Sequence, residues 1–177
     1  NSRHITAETT YHCKDNTFAF GACFVEIEVD VPVGKIKIVD IVNVHDSGVL
    51  INPKLAEAQV HGGMSMGLGY ALSEQLRYDD RARPLNDNLL DYKLPTSLDT
   101  PELTALFVET NDPTAPYGNK ALGEPPAIPV AAAVRNALLH ATGQLIGVAA
   151  SPCTKADLLQ RFLRGLLAGG FVHARHL

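Results

Sequence analysis

The run Phe24-Val25-Glu26-Ile27-Glu28-Val29-Asp30-Val31-Pro32-Val33-Gly34-Lys35-Ile36-Lys37-Ile38-Val39-Asp40-Ile41-Val42-Asn43-Val44 decides how this chain folds. Phe24, Glu26, Glu28 and Asp30 alternate with Val25, Ile27, Val29 and Val31, the period of two expected of a half-buried strand. Pro32-Val33-Gly34-Lys35 carries turn chemistry. Lys35 to Val44 alternates again and is dense in β-branched residues, which suit a pleated surface. Two such runs around a short turn predict an antiparallel hairpin starting near Phe18.

Outward from the hairpin, residues 1–17 are polar and aperiodic, an extended lead-in. On the other side His45 to Leu50 reads as a loop, and Asn52-Pro53 as a helix start, with Asn52 as N-cap and Pro53 in the first helical position. That helix is expected to reach about Ser73. It carries Gly62, Gly63, Gly67 and Gly69, each costing about 1 kcal/mol relative to alanine. Either another backbone or a bulky group approaches closely there, or the glycines serve tight packing or a break near Gly62-Gly63. Leu76 to Tyr78 can open a short strand before a charged turn, Asp79 to Asn88, and Leu103 to Glu109 alternates as a strand. Thr110 to Gly123, with Pro113, Pro116 and Gly118, reads as an irregular loop. A helix is expected from Pro125 to about Ala141 and another after Thr154, with Leu158, Leu159, Phe162, Leu163 and Leu166 on its apolar face. Residues 169–177 read as a frayed tail. This order is α+β: an antiparallel hairpin and further strands packed with about three helices.

The chain has 177 residues, 46% hydrophobic and 19% charged, with a net charge of −4. That allows a buried core and argues against disorder. No basic cluster offers a footprint for nucleic acid, and no apolar run approaches membrane-spanning length. With no signal-peptide pattern at the start, a cytoplasmic protein is expected. Cys13, Cys23 and Cys153 are odd in number and far apart, which provides neither a disulfide framework nor a zinc or iron–sulfur ligand set. His45-Asp46 is the one tight histidine–acid pair, and a surface or turn role is expected there before a catalytic one.

The candidate for chemistry is Gly118-Asn119-Lys120-Ala121-Leu122-Gly123-Glu124-Pro125-Pro126-Ala127. Pro125 or Pro126 can begin a helix, placing Glu124 at its entrance with Gly123 opening the approach. A rigid carboxylate aimed outward can serve as a positioned base. An acidic residue near a helix N-terminus is also ordinary, because the helix dipole favours it. Other templates fail. No phosphate-cradling G-x-x-x-x-G-K-[ST] occurs, and Gly63-Met64-Ser65-Met66-Gly67 matches a nucleophile elbow in letters but follows a helix instead of a strand.

A series of motifs runs in order. Phe20-Gly21-Ala22-Cys23 opens a strand, and Asp46-Ser47-Gly48-Val49-Leu50-Ile51-Asn52-Pro53 follows the hairpin. Then come Ala58-Gln59-Val60-His61-Gly62-Gly63, Gly67-Leu68-Gly69, Asp91-Tyr92-Lys93-Leu94-Pro95-Thr96 and Asn119-Lys120-Ala121-Leu122-Gly123-Glu124-Pro125-Pro126. The series resembles the C-terminal part of the molybdenum-binding subunit of the xanthine dehydrogenase and aldehyde oxidase family, bacterial xanthine dehydrogenases above all, from about Thr6 to Phe162.

The resemblance implies a C-terminal molybdopterin-binding domain over residues 1–168, a fragment of a longer subunit. It implies a molybdenum–pyranopterin cofactor, in molybdopterin or nucleotide form, and no metal ligand from this chain. Glu124 is then the catalytic base that deprotonates the metal's hydroxyl, so that water-derived oxygen attacks an electron-poor carbon of an N-heterocycle or aldehyde. Gln59 corresponds to a pterin-binding glutamine, its alternative being a plain helix-surface residue. Gly62 and Gly123 are expected to leave room for the cofactor. Lys120 is expected to pair or anchor a loop as readily as to do chemistry. Partners would be the upstream part of the subunit and iron–sulfur and flavin domains or subunits, which would hold those clusters and FAD. The other possibility is a catalytically silent domain that pairs with subunits and binds no cofactor by itself.

Overall fold

The computed structural model of the chain describes residues 4–12, 15–30 and 32–143. Three strands form one sheet in the order β1-β2-β3: β1 (Phe20–Asp30), β2 (Lys35–Asp46) and β3 (Leu103–Phe107). The hairpin forms as its period requires, antiparallel from Phe20 opposite Asp46 to Asp30 opposite Lys35. β3, shorter than expected, lies parallel to the other edge of β2, from Ile41 beside Leu103 to His45 beside Phe107. A parallel neighbour needs a long crossover, and the segment carrying the first helix supplies it.

One detail of β2 decides which side chains enter the core. Glu26 pairs with Asp40 but Ile27 pairs with Ile38, so Val39 is an extra residue on β2. Such a bulge reverses the parity of the strand. Ile38 before it and Ile41, Asn43 and His45 after it are therefore all buried on one face. Without the bulge, Asn43 and His45 would point away from the helices.

Helix α1 (Pro53–Leu72) begins as expected, with Asn52 Oδ1 accepting the Leu55 N–H at 3.2 Å. It runs unbroken through its glycines. Helix α2 (Ile128–Thr142) crosses it, and Gly63 and Gly67 mark the crossing. A Cβ on Gly63 would stand 2.5 Å from Pro126 Cβ, and one on Gly67 2.5 Å from Val130 Cβ. These two glycines are packing residues. Around them Val60, Met64 and Leu68 of α1 meet Val130, Val134 and Leu138 of α2 over Ile38 and Ile41 of β2. Burying side chains of this size contributes about 1.5–3 kcal/mol each.

α2 starts at Ile128, with Pro129 in its first turn, and not at Pro125. Glu124 and Pro125 each precede a proline, which disfavours the helical region, and both lie outside the helix. They form a separate turn, in which the Ala127 N–H donates to Glu124 O at 3.0 Å. The strand expected at Leu76 to Tyr78 reduces to an isolated bridge between Tyr78 and Pro84. The lead-in reaches across the molecule, where the Tyr11 hydroxyl donates to Thr114 O. The helix expected after Thr154, the tail at 169–177, Cys13 and Cys153 lie outside the described residues.

Candidate functional site

Two loops meet at the C-terminal end of β2. The Val49 N–H donates to Gly118 O at 2.9 Å and the Lys120 N–H to Ser47 O at 2.7 Å. Between them Lys120 Nζ donates to Asp46 Oδ2 at 2.8 Å and stands 5.5 Å over the Phe20 ring. Asp46 Oδ1 accepts from the Thr110 hydroxyl at 2.7 Å and from the Gly48 N–H at 3.0 Å. The Lys120 ammonium and these donors hold the Asp46 carboxyl down at about 2. The Lys120 side chain is only 8% exposed, which makes it a loop anchor.

The surface or turn role expected for His45 is corrected by the structure. His45 is buried within β2, 1% exposed, with its ring over Gly21, where a Cβ would stand 2.6 Å from Nδ1. Neither ring nitrogen has a hydrogen-bond partner among the described residues. Burial lowers its pKa from 6.5 and favours the neutral imidazole. The bulge at Val39 put it inside, which alternation alone does not reveal.

The anchored loop leads to Glu124. Three contacts hold the turn that carries it. Gln59 Nε2 donates to Gly123 O at 3.1 Å, on one side of Glu124. Asn43 Nδ2 donates to Pro126 O at 2.9 Å, on the other side. Pro126, itself buried, lies against Gly63. The Glu124 side chain is exposed and makes no hydrogen bond or ion pair to a described residue. Gly62 follows Gln59 by three residues on α1, so the two share a side of the helix. A Cβ at Gly62 or at Gly123 would meet nothing within 4 Å.

Gln59, Gly123 and Glu124 are thus brought together, and Gly62 leaves an open helix surface. Gly69 does not extend that surface, since Glu74 and Pro95 cover it. Asn43 escaped sequence reasoning. Its signal was a polar residue at an apolar register, visible only once the bulge sets parity.

This donor set suits a flat polar organic group. The Gln59 amide keeps an oxygen acceptor and a second N–H free of its bond to Gly123. Among the described residues no three His, Cys, Asp or Glu side chains are grouped as ligands of a metal ion. A metal here would be carried by its organic cofactor.

Comparison with known proteins agrees. The family model of the molybdopterin cofactor-binding domain matches residues 1–101. The chain is 49% identical over 165 residues to the xanthine dehydrogenase molybdenum-binding subunit of Escherichia coli O157:H7, covering 92% of this chain and 22% of that one. It is 36% identical over 144 residues to the aldehyde oxidoreductase molybdenum-binding subunit PaoC of Escherichia coli K12, covering 80% and 19%. The crystal structure of a Cu,Mo-CO dehydrogenase superposes with a TM-score of 0.78 at 29% identity, covering 90% of this chain and 20% of that chain. The chain thus spans about a fifth of the length of these relatives. By these matches, and with the α+β fold they share, the chain belongs to the molybdopterin cofactor-binding domains of the xanthine dehydrogenase and carbon monoxide dehydrogenase family of molybdenum oxidoreductases.

Proposed function

We propose that this chain is the C-terminal portion of the molybdenum subunit of a xanthine dehydrogenase-like purine hydroxylase, and that it supplies Glu124 as the base. One observation carries the reading. Glu124 is presented outward, beside the open surface at Gly62 and Gly123, from a turn held on both sides by side-chain amides. A base must be fixed before it can accelerate proton transfer, because orientation accounts for much of the rate.

The molybdenum cofactor, when bound, supplies a two-electron acceptor and activates water-derived oxygen. Gln59 would hold the pterin through its free amide groups, with Gly62 and Gly123 allowing close approach. A Glu124 carboxylate oxygen takes the proton lost by the attacking oxygen, and the anchored turn fixes where that side chain leaves the backbone. The preference for a purine, an electron-poor N-heterocycle, follows the stronger likeness to the xanthine dehydrogenase subunit than to the aldehyde oxidoreductase subunit. Iron–sulfur and flavin domains in the remaining chain or in other subunits would carry the electrons away. A cytoplasmic location accords with the absence, among the described residues, of a helix long and apolar enough to cross a membrane.

The test is Glu124→Gln in the complete enzyme. Turnover should fall on the order of 10²- to 10⁴-fold with molybdenum content unchanged, and retention of more than about half of the wild-type kcat would remove the assignment.

A further inference from the structure

We propose that Asn43 is a positioning residue for Glu124. The inference rests on the reading of Glu124 as the base. Asn43 is fully buried on β2, and Nδ2 spans 83 positions of sequence to donate to Pro126 O at 2.9 Å. Pro126 lies two residues after Glu124, and its carbonyl falls between the turn and α2. The turn is short of internal support, because Pro125 and Pro126 have no N–H to donate. Its internal bond runs from the Ala127 N–H to Glu124 O.

The Asn43 bond therefore ties the C-terminal side of the turn to the sheet, as Gln59 ties Gly123 to α1. The two anchors differ in kind. Gln59 is exposed on a helix and is also the proposed contact to the cofactor. Asn43 is 0% exposed, its Nδ2 is spent on the turn, and its Oδ1 has no hydrogen-bond partner among the described residues. An apolar residue would be the simpler occupant of this register, next to Ile41 in the core. A buried amide there is justified by the carbonyl it meets, since an unpaired buried carbonyl is costly.

The experiment uses the complete enzyme with Asn43→Leu, Glu124→Gln and the double variant. Asn43→Leu keeps the number of side-chain heavy atoms, though it is bulkier, and removes the donor. It should lower kcat on the order of 10²-fold, the penalty of a misplaced catalytic group. KM and molybdenum content should stay near wild type, and hydrogen exchange should quicken in peptides covering residues 120–128 but not in those of α1. In the Glu124→Gln background the same substitution should cost little more, because there is then no base to position. A full further loss in that background, or an unchanged kcat in Asn43→Leu while Glu124→Gln is inactive, overturns the positioning role alone. An active Glu124→Gln enzyme overturns the underlying reading instead.

Where Asn43→Leu loses cofactor or fails to fold, Asn43→Asp decides. It is isosteric and donates to Pro126 O only while protonated. Its kcat relative to wild type should recover as pH falls, and a ratio that stays low at every pH overturns the proposal.

Discussion

Asp46 and His45 are neighbours in sequence that meet opposite conditions. Asp46 points to the loop side, where Lys120, Thr110 and Gly48 stabilise its charge and bring its carboxyl from 3.8 to about 2. Its folded-state pKa is depressed, so its contribution is fully present above about 3.8 and is lost as pH falls toward about 2. Asp46→Asn should cost roughly 2 kcal/mol at neutral pH by chemical denaturation. The gap to wild type should close as the acid is titrated. His45 is buried and neutral, and its pKa also lies below the ordinary 6.5. Protonation therefore favours the unfolded chain, and wild-type stability should begin to decline as pH drops below about 6.5. His45→Gln should lack that part of the decline. A profile identical to wild type would show that the ring is not kept neutral in the fold.

At the scale of elements, the glycines of α1 separate into different functions. Gly63 and Gly67 let α2 come close, whereas Gly62 faces open space. Gly67→Ala should destabilise the fold by about 1–3 kcal/mol, because its Cβ would overlap Val130. Gly62→Ala should stabilise the helix by up to about 1 kcal/mol, the usual gain of alanine over glycine. Thermal unfolding of the two variants checks both signs, and destabilisation by Gly62→Ala would show that this surface is not free. The glycine cluster was plain in the sequence, and so were both explanations for it. Which explanation applies to which glycine was not, because neighbours on one helix are set apart by 100° steps and by what α2 brings against them.

For the whole molecule, the chain is a part of a site. It spans about a fifth of its relatives and, among the described residues, presents no grouped metal ligands. The isolated chain should therefore hold no molybdenum and hydroxylate nothing. Elemental analysis of the purified chain measures this directly, and a stoichiometric metal content would mean that these residues complete more of the site than their chemistry implies.

Local order along the chain was settled by the sequence itself. Alternation from Phe24 onward specified the hairpin, Asn52-Pro53 specified where α1 begins, and the ordered series of short motifs from Phe20 to Pro126 pointed to the family. Each depends on residues close in sequence, whose periodicity and capping chemistry are short-range. The parallel placement of β3, the inward turn of Asn43 and His45, and the joining of Asn43, Gln59 and Gly63 around the Glu124 turn came only from the tertiary structure. A single extra residue at Val39 inverts the faces of β2, and the turn takes its partners from segments more than 60 positions away in sequence. Bonds of that range depend on how sheet and helices pack together, which no local pattern encodes.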